Sequence, residues 1–379
     1  MSHIALNAYK VAAGGVLGYI TRIVTDLPKL FPEHQYTIFL SKKLDHLPEH
    51  PNSTHVYLSD DDGGRFDRFR WEQFVLPRQL KVRNVDLLYT FAPFDIYLST
   101  CPTIVRVANM APFDPEAIKT EKYFRGKMRL YALALLSRAA TYTADRILVQ
   151  SSNAAEILIE DHGFRKDKTI GIDRGFEVSD LVSDNSVSPI TEQKYILCVS
   201  HIFRYKMLIE VVREYALAFS KDSSLPILYI AGEDKDKEYA IDIYKEIAEL
   251  NMEGKIRMLG GIPRENLYNL IRESEISIFS SLVETFPTTL LEQMSLGAVL
   301  VVANSGVMPK FCNDSVVYFD PHLPGSLATQ LNDLTNNIVL RRELSDKAKR
   351  RFFELDVTWE TAFRKRQALF DEVISEARS

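Results

Sequence analysis

Short apolar segments alternate with longer amphipathic segments along nearly the whole chain, and this alternation constrains the fold more than any other feature. In the first half, helix-like segments at 17–30 and 127–144 lie among apolar segments at 4–7, 36–40, 55–58, 86–89, 103–108, 146–150 and 169–172. Such alternation is typical of parallel, doubly wound sheets. The pattern therefore predicts an α/β protein.

A polar segment, 177–192, interrupts the alternation, with Ser, Asp and Asn clustered around Pro189. A second series of predicted strands and helices follows, from 195–200 to 299–303, and a final amphipathic helix covers 359–377. Pro- and Ser-rich polar segments are typical of linkers between domains. We therefore expect two Rossmann-like domains, 1–178 and 193–359, with ligands bound beyond the carboxyl ends of their strands.

The stretch from Ser280 to Gly297 contains two carboxylates, Glu284 and Glu292, at a predicted junction between a loop and a helix. The apolar run 276–279 is short and predicts a buried strand, and Pro287 precedes a helix predicted over 288–296. Glu284 is thus expected in the strand-to-helix loop, and Glu292 in the first turns of the helix.

This arrangement predicts an anion site, because the first N–H groups of a helix have no partner within it. A phosphate on the amides of Thr288 and Thr289 would lie between two carboxylates, which accept hydrogen bonds from hydroxyl groups. A nucleotide sugar has that layout, with a sugar and a ribose on either side of its phosphates. The alternative is a capping box, Thr289-x-x-Glu292, with Glu284 as a solvated loop residue.

The spacing of the two glutamates, the Phe-Pro-Thr-Thr between them and the Met-Ser-Leu-Gly-Ala-Val-Leu-Val-Val-Ala-Asn that follows resemble the C-terminal signature of the retaining family-four glycosyltransferases. The resemblance implies the GT-B fold, in which two Rossmann-like doubly wound domains face a central cleft. It places the acceptor on the N-terminal domain and the nucleotide sugar on the C-terminal domain. It also implies that the last helix, about 360–379, packs back onto the first domain.

Arg204 and Lys206 follow the first strand of the second half and precede its first helix. Cations at a helix N-terminus oppose the helix dipole, so the pair indicates a bound diphosphate, although a solvated basic turn is the alternative. Lys206 matches the phosphate-binding Lys of the family. His201 stands where the family has Arg, and we infer that Arg204 takes over that contact.

The resemblance also identifies candidates in the first half. Gly14 and Gly15 match a glycine loop whose amides face the donor phosphate and the acceptor. Ala108 replaces a family His, which leaves Arg106 and Asn109 as candidate cleft residues, with a structural salt bridge as the alternative for Arg106.

Taken together, the motif and the resemblance assign catalysis to Arg204, Lys206 and Glu284. They assign donor binding to Gly15, Met258, Phe286, Pro287, Thr288, Thr289, Leu290 and Glu292, with Met258 contributing backbone beside the nucleobase. The run Asp60–Asp61–Asp62 resembles a metal motif of the other glycosyltransferase fold, but it lies in a polar turn and is expected to be a solvated loop. No metal or cofactor is expected, because the two cations would neutralise the leaving diphosphate.

The predicted function is metal-independent, retaining transfer of a hexosyl unit from a nucleoside diphosphate sugar, with UDP-glucose as the expected donor. The acceptor class implied by the family is a saccharide or lipid-linked saccharide of envelope or exopolysaccharide synthesis. Two alternatives are a nucleotide-sugar 2-epimerase, which would need acid/base carboxylates and a His that the motifs lack, and an exported two-lobed sugar-binding protein, which the absence of a signal sequence disfavours.

Composition agrees with this prediction. A formal net charge of −5 argues against a nucleic-acid-coating protein. Three dispersed cysteines, Cys101, Cys198 and Cys312, indicate reduced thiols rather than disulfides or a zinc site. Without a leader or a long apolar stretch, the sequence predicts a cytoplasmic protein and leaves attachment to the inner face of a membrane open.

Overall fold

The computed structural model describes residues 1–9, 15–59, 64–176 and 194–379. These residues form two compact units. The first unit comprises Met1–Asn109, Arg129–Arg174 and Glu360–Ser379, and the second comprises Met110–Met128 and Gly175–Trp359. Gly14, the run 60–62 and the predicted linker 177–192 lie outside the described residues.

The first unit contains a seven-stranded parallel sheet with the strand order β3-β2-β1-β4-β5-β6-β7. Its strands are β1 (His3–Asn7), β2 (Gln35–Ser41), β3 (Ser53–Leu58), β4 (Leu87–Thr90), β5 (Thr103–Val107), β6 (Arg146–Val149) and β7 (Thr169–Gly171). The helices of this part of the chain are α1 (Gly15–Leu30), α2 (Gly64–Arg70), α3 (Leu76–Val82), α4 (Pro115–Thr120), α5 (Phe124–Thr143) and α6 (Ser152–His162). The strand order reverses between β1 and β4.

The second unit contains a six-stranded parallel sheet with the order β10-β9-β8-β11-β12-β13. Its strands are β8 (Tyr195–Val199), β9 (Ile227–Ala231), β10 (Ile256–Gly260), β11 (Ile276–Phe279), β12 (Leu300–Ala303) and β13 (Val317–Phe319). The helices are α7 (Leu208–Lys221), α8 (Lys237–Glu249), α9 (Arg264–Glu273), α10 (Thr288–Leu296), α11 (Met308–Cys312), α12 (Ser326–Thr335) and α13 (Ile338–Glu354). The chain ends with α14 (Trp359–Arg378).

The strands read as continuous apolar runs because both faces of each sheet are covered by helices. Ile4, Ala5 and Leu6 of β1 are all fully buried, and so are consecutive residues of β12. Amphipathic helices supply the covering layers: α1 buries Tyr19, Ile20 and Ile23 at helical spacing. The predicted doubly wound α/β architecture is confirmed.

The three cysteines are free thiols. Cys198 and Cys312 are buried, and burial raises the pKa of each thiol to about 12. Since the thiolate is the reactive form, these two side chains behave as small apolar core residues at neutral pH. Among the described residues, no helix combines the length and the apolar character that a membrane crossing needs.

Candidate donor site of the second unit

The candidate site lies at the carboxyl edge of the second sheet, where the strand order reverses between β8 and β11. Lys206 ends a short turn, Arg204–Lys206, which follows β8, and Glu284 lies in the loop between β11 and α10. Open α/β sheets bind their ligands at such a reversal, because the loops that follow the two central strands diverge there. The structure thus brings these two predicted residues together.

Lys206 and Glu284 form an ion pair through the ammonium nitrogen and one carboxylate oxygen. The exposed fractions of the two side chains are only 15% and 19%. Burial alone would lower the pKa of Lys206, but the charge of Glu284 outweighs this effect and the pKa is raised. Lys206 is therefore fully charged at neutral pH.

The two loops that carry this pair are tied together by hydrogen bonds. The Ser280 hydroxyl donates to the carbonyl oxygen of Lys206 at 2.6 Å, and the amide of Leu282 donates to the carbonyl oxygen of Tyr205 at 2.9 Å. Met207, the next residue, has the left-handed backbone angles φ 54° and ψ 38°, which are costly for a residue with a Cβ. The hydrogen bonds to the carbonyl oxygens of Tyr205 and Lys206 thus fix the backbone before and after Lys206.

Arg204 faces a different set of partners. Its guanidinium lies 3.2 Å from a carboxylate oxygen of Asp236 and 3.4 Å from one of Asp242, and it lies over the ring of Tyr239 at 5.0 Å from the ring centre. To reach a diphosphate beside Lys206, Arg204 would have to leave two carboxylates. The predicted substitution of Arg204 for the family Arg stays a prediction.

His201 occupies the position of the family Arg and lies at the exposed edge of the site. Burial of its ring, opposed by the charge of Glu233, lowers the pKa of His201 below its ordinary value. The Nδ1 atom accepts a hydrogen bond from the amide of Glu233 at 3.3 Å. His201 is accordingly neutral at pH 7 when no anion lies next to it.

The first turn of α10 provides two amide donors, but the pair lies one residue later than predicted. Pro287 is the residue that caps the helix, and the Thr288 amide already donates to the carbonyl oxygen of Phe286 at 2.9 Å. The amides of Thr289 and Leu290 come next, and they have no partner within the helix because they lie in its first turn. They replace Thr288 as the available anion donors.

The capping-box alternative is wrong, because the helix begins two residues too early for it. With Pro287 at the cap, the third residue of the helix is Leu290, and Glu292 lies two positions further on. A side chain there cannot return to the amide of the cap residue. Another role for the carboxylate of Glu292 is needed.

Glu292 is buried on the side of α10 that faces α9, where two side chains fix its carboxylate. One oxygen accepts a hydrogen bond from Arg264 at 2.8 Å and lies 3.3 Å from the Tyr268 hydroxyl. Arg264 also donates to that hydroxyl. This three-residue contact orients the carboxylate before any ligand arrives.

A cavity of about 140 Å³ lies between these groups. Its lining comes from the residues that follow β8, β9 and β10 and from the first turns of α9 and α10: Val199, Ser200, His201, Ala231, Gly232, Glu233, Gly261, Ile262, Leu267 and Thr289. Gly232 is required here, since a Cβ atom at this position would lie 1.9 Å from the carbonyl oxygen of Ser200.

Three other predicted donor residues turn their side chains into the core. Phe286 packs edge-on against Phe311 with the ring centres 5.5 Å apart, Leu290 is fully buried, and Met258 packs against the core of the unit. Phe286 and Leu290 can therefore contact a ligand only through their backbone, whereas Met258 is only partly buried. Gly261, rather than Met258, lines the cavity, and the preceding Gly260 has a positive φ of 68°.

The candidate acceptor and donor residues in the first unit differ in their exposure to solvent. Gly15 begins α1, and Asn109 is exposed at the end of the segment that follows β5. Arg106 is only 3% exposed and lies over the rings of Tyr19 and Phe91. It forms no ion pair with any described residue, so the salt-bridge alternative for Arg106 is wrong within that part of the chain.

A buried polar group that the sequence did not reveal lies at the carboxyl ends of β1 and β4. The side-chain amide of Asn7 donates to Glu72 at 3.1 Å and to the Thr90 hydroxyl at 3.2 Å. Glu72 is fully buried in a π-helical turn, Trp71–Val75, and burial raises its pKa. The π-helical turn has no simple sequence signal, although such turns occur often at functional sites.

Within the described ranges, no group of three or more His, Cys, Asp or Glu side chains could hold a metal ion.

Comparison with known proteins places part of the chain in a family and the whole chain in a fold. Residues 183–351 match the model of the glycosyl transferases group 1. A phosphatidylinositol N-acetylglucosaminyltransferase component from Arabidopsis thaliana is 20% identical over 194 residues, which are 50% of this chain and 41% of that protein. The match therefore spans less than half of the curated relative's length.

Two solved structures align with nearly the entire chain. A sucrose-phosphate synthase from Thermosynechococcus elongatus has a TM-score of 0.76 at 16% identity, over 99% of this chain and 100% of that one. Anabaena Alr3699/HepE in complex with UDP-glucose has a TM-score of 0.72 at 14% identity, over 98% and 100%. At such identities the likeness establishes the fold, which is GT-B as predicted.

Proposed function

Because the chain is a GT4-like glycosyltransferase with the GT-B fold, we propose that it is a retaining, metal-independent hexosyltransferase that uses a nucleoside diphosphate sugar. The donor in this proposal is UDP-glucose, and the acceptor is a saccharide or a lipid-linked saccharide of envelope or exopolysaccharide synthesis. The observation that carries the proposal is the buried Lys206–Glu284 pair beside the free amides of α10.

In the proposed reaction, Lys206 and the amides of Thr289 and Leu290 stabilise the departing diphosphate. Charge develops on the phosphate oxygen as the bond to the sugar breaks, and a fixed cation with oriented N–H groups is most effective where charge appears. A Lys whose pKa is raised stays charged throughout. These groups supply the neutralisation that a metal ion provides elsewhere.

Glu284 and Glu292 bind the two hydroxyl-rich parts of the donor. Glu284 accepts hydrogen bonds from the transferred sugar, and Glu292, oriented by Arg264 and Tyr268, accepts them from the ribose. The base enters the cavity between Gly261 and Thr289. Retention follows if the acceptor attacks from the side of the departing phosphate, whose oxygen takes the acceptor proton.

Arg204 has a smaller part in this proposal. Its guanidinium is already paired with Asp236 and Asp242, and gaining a diphosphate contact means losing those two. The net gain is therefore less than for Lys206. Replacement of Arg204 should weaken donor binding by a smaller factor than replacement of Lys206.

The identity of the transferred sugar is the least constrained part of the proposed function. Alr3699/HepE is described in complex with UDP-glucose, which favours a glucosyl donor, whereas the Arabidopsis relative is named for transfer of N-acetylglucosamine. The UDP-glucose complex of Alr3699/HepE favours a uridine nucleotide, and the two names together favour glucose or N-acetylglucosamine as the sugar. UDP-N-acetylglucosamine is therefore the donor to test beside UDP-glucose.

The exposed surface of α5 supports the proposal that the enzyme acts at an anionic membrane surface. Phe124, Met128, Tyr131 and Leu135 recur at helical spacing and are between 49% and 76% exposed. The helix contains four basic residues and no acidic one, in a chain whose net charge is −5. Apolar side chains among cations bind anionic lipid surfaces. In this proposal the enzyme acts from the cytoplasm at the inner face of a membrane.

Vesicle co-sedimentation tests this attachment. Wild type should sediment with phosphatidylglycerol vesicles and not with phosphatidylcholine vesicles, and Leu135→Asp should abolish sedimentation. Leu323→Asp, at another exposed leucine, is the matched control. Equal sedimentation of the wild type and Leu135→Asp would contradict the assignment.

The function itself is tested by calorimetry in EDTA with UDP-glucose, UDP-N-acetylglucosamine, GDP-glucose and ADP-glucose, together with slow donor hydrolysis and analysis of the products. One sugar nucleotide should bind, and Lys206→Met and Glu292→Gln should each weaken it at least tenfold. Lys245→Met, at a lysine that is 72% exposed, is the control. Binding that requires metal, or a released free 2-epimer with no glycoside formed, would refute the proposal.

A further inference from the structure

Three arginines surround one buried phenol in the first unit, and we call this group the Tyr19 cluster. The guanidinium carbons of Arg106, Arg174 and Arg366 lie 4.4, 5.4 and 5.7 Å from the centre of the Tyr19 ring. Arg366 also donates to the Tyr19 hydroxyl at 2.9 Å. The residues come from β5, from the segment after β7, and from α14 and α1, so the fold brings them together from distant parts of the sequence.

Two of these cations are buried without a counter-charge from the residues that the structure describes. Arg106 is 3% exposed and Arg366 is fully buried, and the Nε atom of each has no hydrogen-bond partner among those residues. Neither forms an ion pair with any residue in the described part of the chain. Besides the Tyr19 hydroxyl, Arg366 donates a hydrogen bond to the Ala362 carbonyl oxygen of its own helix, at 3.3 Å.

This arrangement is costly for a structural cluster. Buried charges in proteins are almost always paired, because the loss of hydration is offset only by an opposite charge and by hydrogen bonds. Here two like charges share one aromatic ring, and cation–π contact offsets only part of the cost. An anion that accepts hydrogen bonds from the free Nε atoms would supply what the protein lacks.

The position of the cluster is that of a ligand site. Arg106 is the next-to-last residue of β5, and Tyr89, whose hydroxyl lies 3.3 Å from that of Tyr19, is the next-to-last residue of β4. Tyr19 lies on α1, the helix that follows β1. The strand order reverses between β1 and β4, and ligands of such sheets bind at that edge. Arg174 is partly exposed and gives the cluster a side open to solvent.

We propose that the Tyr19 cluster binds a phosphate group, and that the acceptor of the proposed transfer carries that phosphate. The inference rests on the proposed function, which it makes more specific: the acceptor is an anionic phosphorylated saccharide rather than a neutral one. A soluble sugar phosphate and a lipid diphosphate share this chemistry. A phosphate both accepts hydrogen bonds from the Nε atoms of Arg106 and Arg366 and supplies the negative charge that a neutral sugar lacks.

A competing explanation is that Tyr19 itself is the counter-charge. Burial raises the pKa of Tyr19, but the three guanidiniums outweigh this and lower it overall. A phenolate at neutral pH would compensate the arginines without a ligand. Ultraviolet difference spectra at the tyrosinate band, with Tyr19→Phe as reference, detect that state directly.

The test measures unfolding temperature and binding on the full chain. Inorganic phosphate and glucose 6-phosphate, compared with chloride at equal ionic strength, should raise the unfolding temperature of the wild type saturably. Arg106→Met and Arg366→Met should lose this rise and should unfold in chloride at the wild-type temperature or above it, since each removes an unpaired charge. Arg378→Met, on the same helix but 54% exposed, should keep the rise.

Donor affinity and transfer to phosphorylated acceptors test this inference separately from the proposed function. UDP-glucose affinity should stay within about twofold of wild type in both cluster variants, because the donor site lies in the other unit. Transfer to a sugar phosphate in solution, or to a lipid diphosphate sugar in vesicles, identifies the source of the phosphate, and either one should fall at least tenfold in Arg366→Met.

Three results would overturn the inference: phosphate does not raise the unfolding temperature saturably, the wild type shows a phenolate spectrum, or transfer occurs only to neutral saccharides. If UDP-glucose binds normally in those cases, the proposed function stands and only the acceptor class is wrong. If UDP-glucose does not bind to the wild type at all, the proposed function has failed.

Discussion

Replacement of Glu284 by Gln should affect the nucleotide and the reaction in opposite directions. In the free protein Glu284 holds the ammonium group of Lys206, and a bound diphosphate must compete for that group. Glu284→Gln keeps the shape of the side chain and removes its charge. We therefore expect UDP, which has no sugar to contact Glu284, to bind more tightly to the variant, while glucosyl transfer becomes slower.

The magnitude follows from the environment of the pair. A hydrogen bond to a charged group contributes about 1.5–3 kcal/mol, and both side chains are less than one-fifth exposed, so screening by solvent is limited. Gln still accepts a hydrogen bond, which leaves a net gain for UDP of about 1 kcal/mol, or about fivefold in Kd. Loss of the sugar contact should lower kcat by about 30-fold to 150-fold, which corresponds to about 2–3 kcal/mol.

Calorimetry of UDP and UDP-glucose at pH 7.5, with initial rates of transfer, gives both numbers. The pKa of Lys206 is raised, so the contribution of the ion pair to stability is complete below the ordinary pKa of 10.5 and is lost only as the pH rises through the higher folded value. The ammonium is thus present at pH 7.5 in every protein that keeps both Lys206 and Glu284, whereas Glu284→Gln removes the charge that raises this pKa. Lys206→Met should weaken UDP by about 10-fold to 150-fold. Equal weakening of UDP in Glu284→Gln and Lys206→Met would refute the competition argument.

Three further predictions concern the edge of the donor site. The pKa of His201 is lowered, so its ring is neutral at pH 7, and a bound diphosphate favours the protonated ring. Calorimetry should therefore show that UDP-glucose affinity rises about threefold to tenfold from pH 8 to pH 6 in the wild type and does not change with pH in His201→Gln. Met207 has a left-handed backbone, so Met207→Gly should leave the unfolding temperature unchanged or raise it, whereas Met207→Val should destabilise by about 1–2 kcal/mol. Gly232→Ala should destabilise by about 2–4 kcal/mol and close the cavity to UDP, since its Cβ atom would lie 1.9 Å from a carbonyl oxygen of Ser200.

Each of these predictions has a result that would contradict it. An equal pH slope in His201→Gln would assign the proton uptake to another group. A Met207→Val variant as stable as the wild type would mean that the turn can adopt another backbone conformation. Normal UDP binding by Gly232→Ala, compared with Gly254→Ala at an open position, would remove the cavity from the donor site.

The sequence predicted the elements around β11 and α10 to the residue, because a short apolar run, a proline and a terminal glycine leave little freedom there. Gly297, which ends α10, has the positive φ of 75° that favours glycine. The family motif assigned Lys206 and Glu284 to the same donor site, but it did not predict their ion pair. The helices between β12 and α14 were not predicted, since α11 is a single short turn and α13 has a weak apolar face.

The partners of the site residues could not be predicted, because they come from distant segments. Nothing in the local sequence says that Arg264 orients Glu292, or that Asp236 and Asp242 hold Arg204. The Tyr19 cluster shows the same limit. Arg366 has the sequence context of an ordinary surface arginine in an amphipathic helix, and only the packing of α14 within the first unit reveals that it is buried.

The central claim is that the nucleotide sugar binds in the second unit with its diphosphate on Lys206 and α10. A crystal structure of the complex with UDP, from crystals grown in EDTA, tests this claim most directly. The diphosphate should lie within hydrogen-bonding distance of the Lys206 ammonium and of the amides of Thr289 and Leu290, with the base between Gly261 and Thr289. A diphosphate bound instead to Arg106 and Arg366 in the first unit, with the Lys206–Glu284 pair undisturbed, would contradict the account.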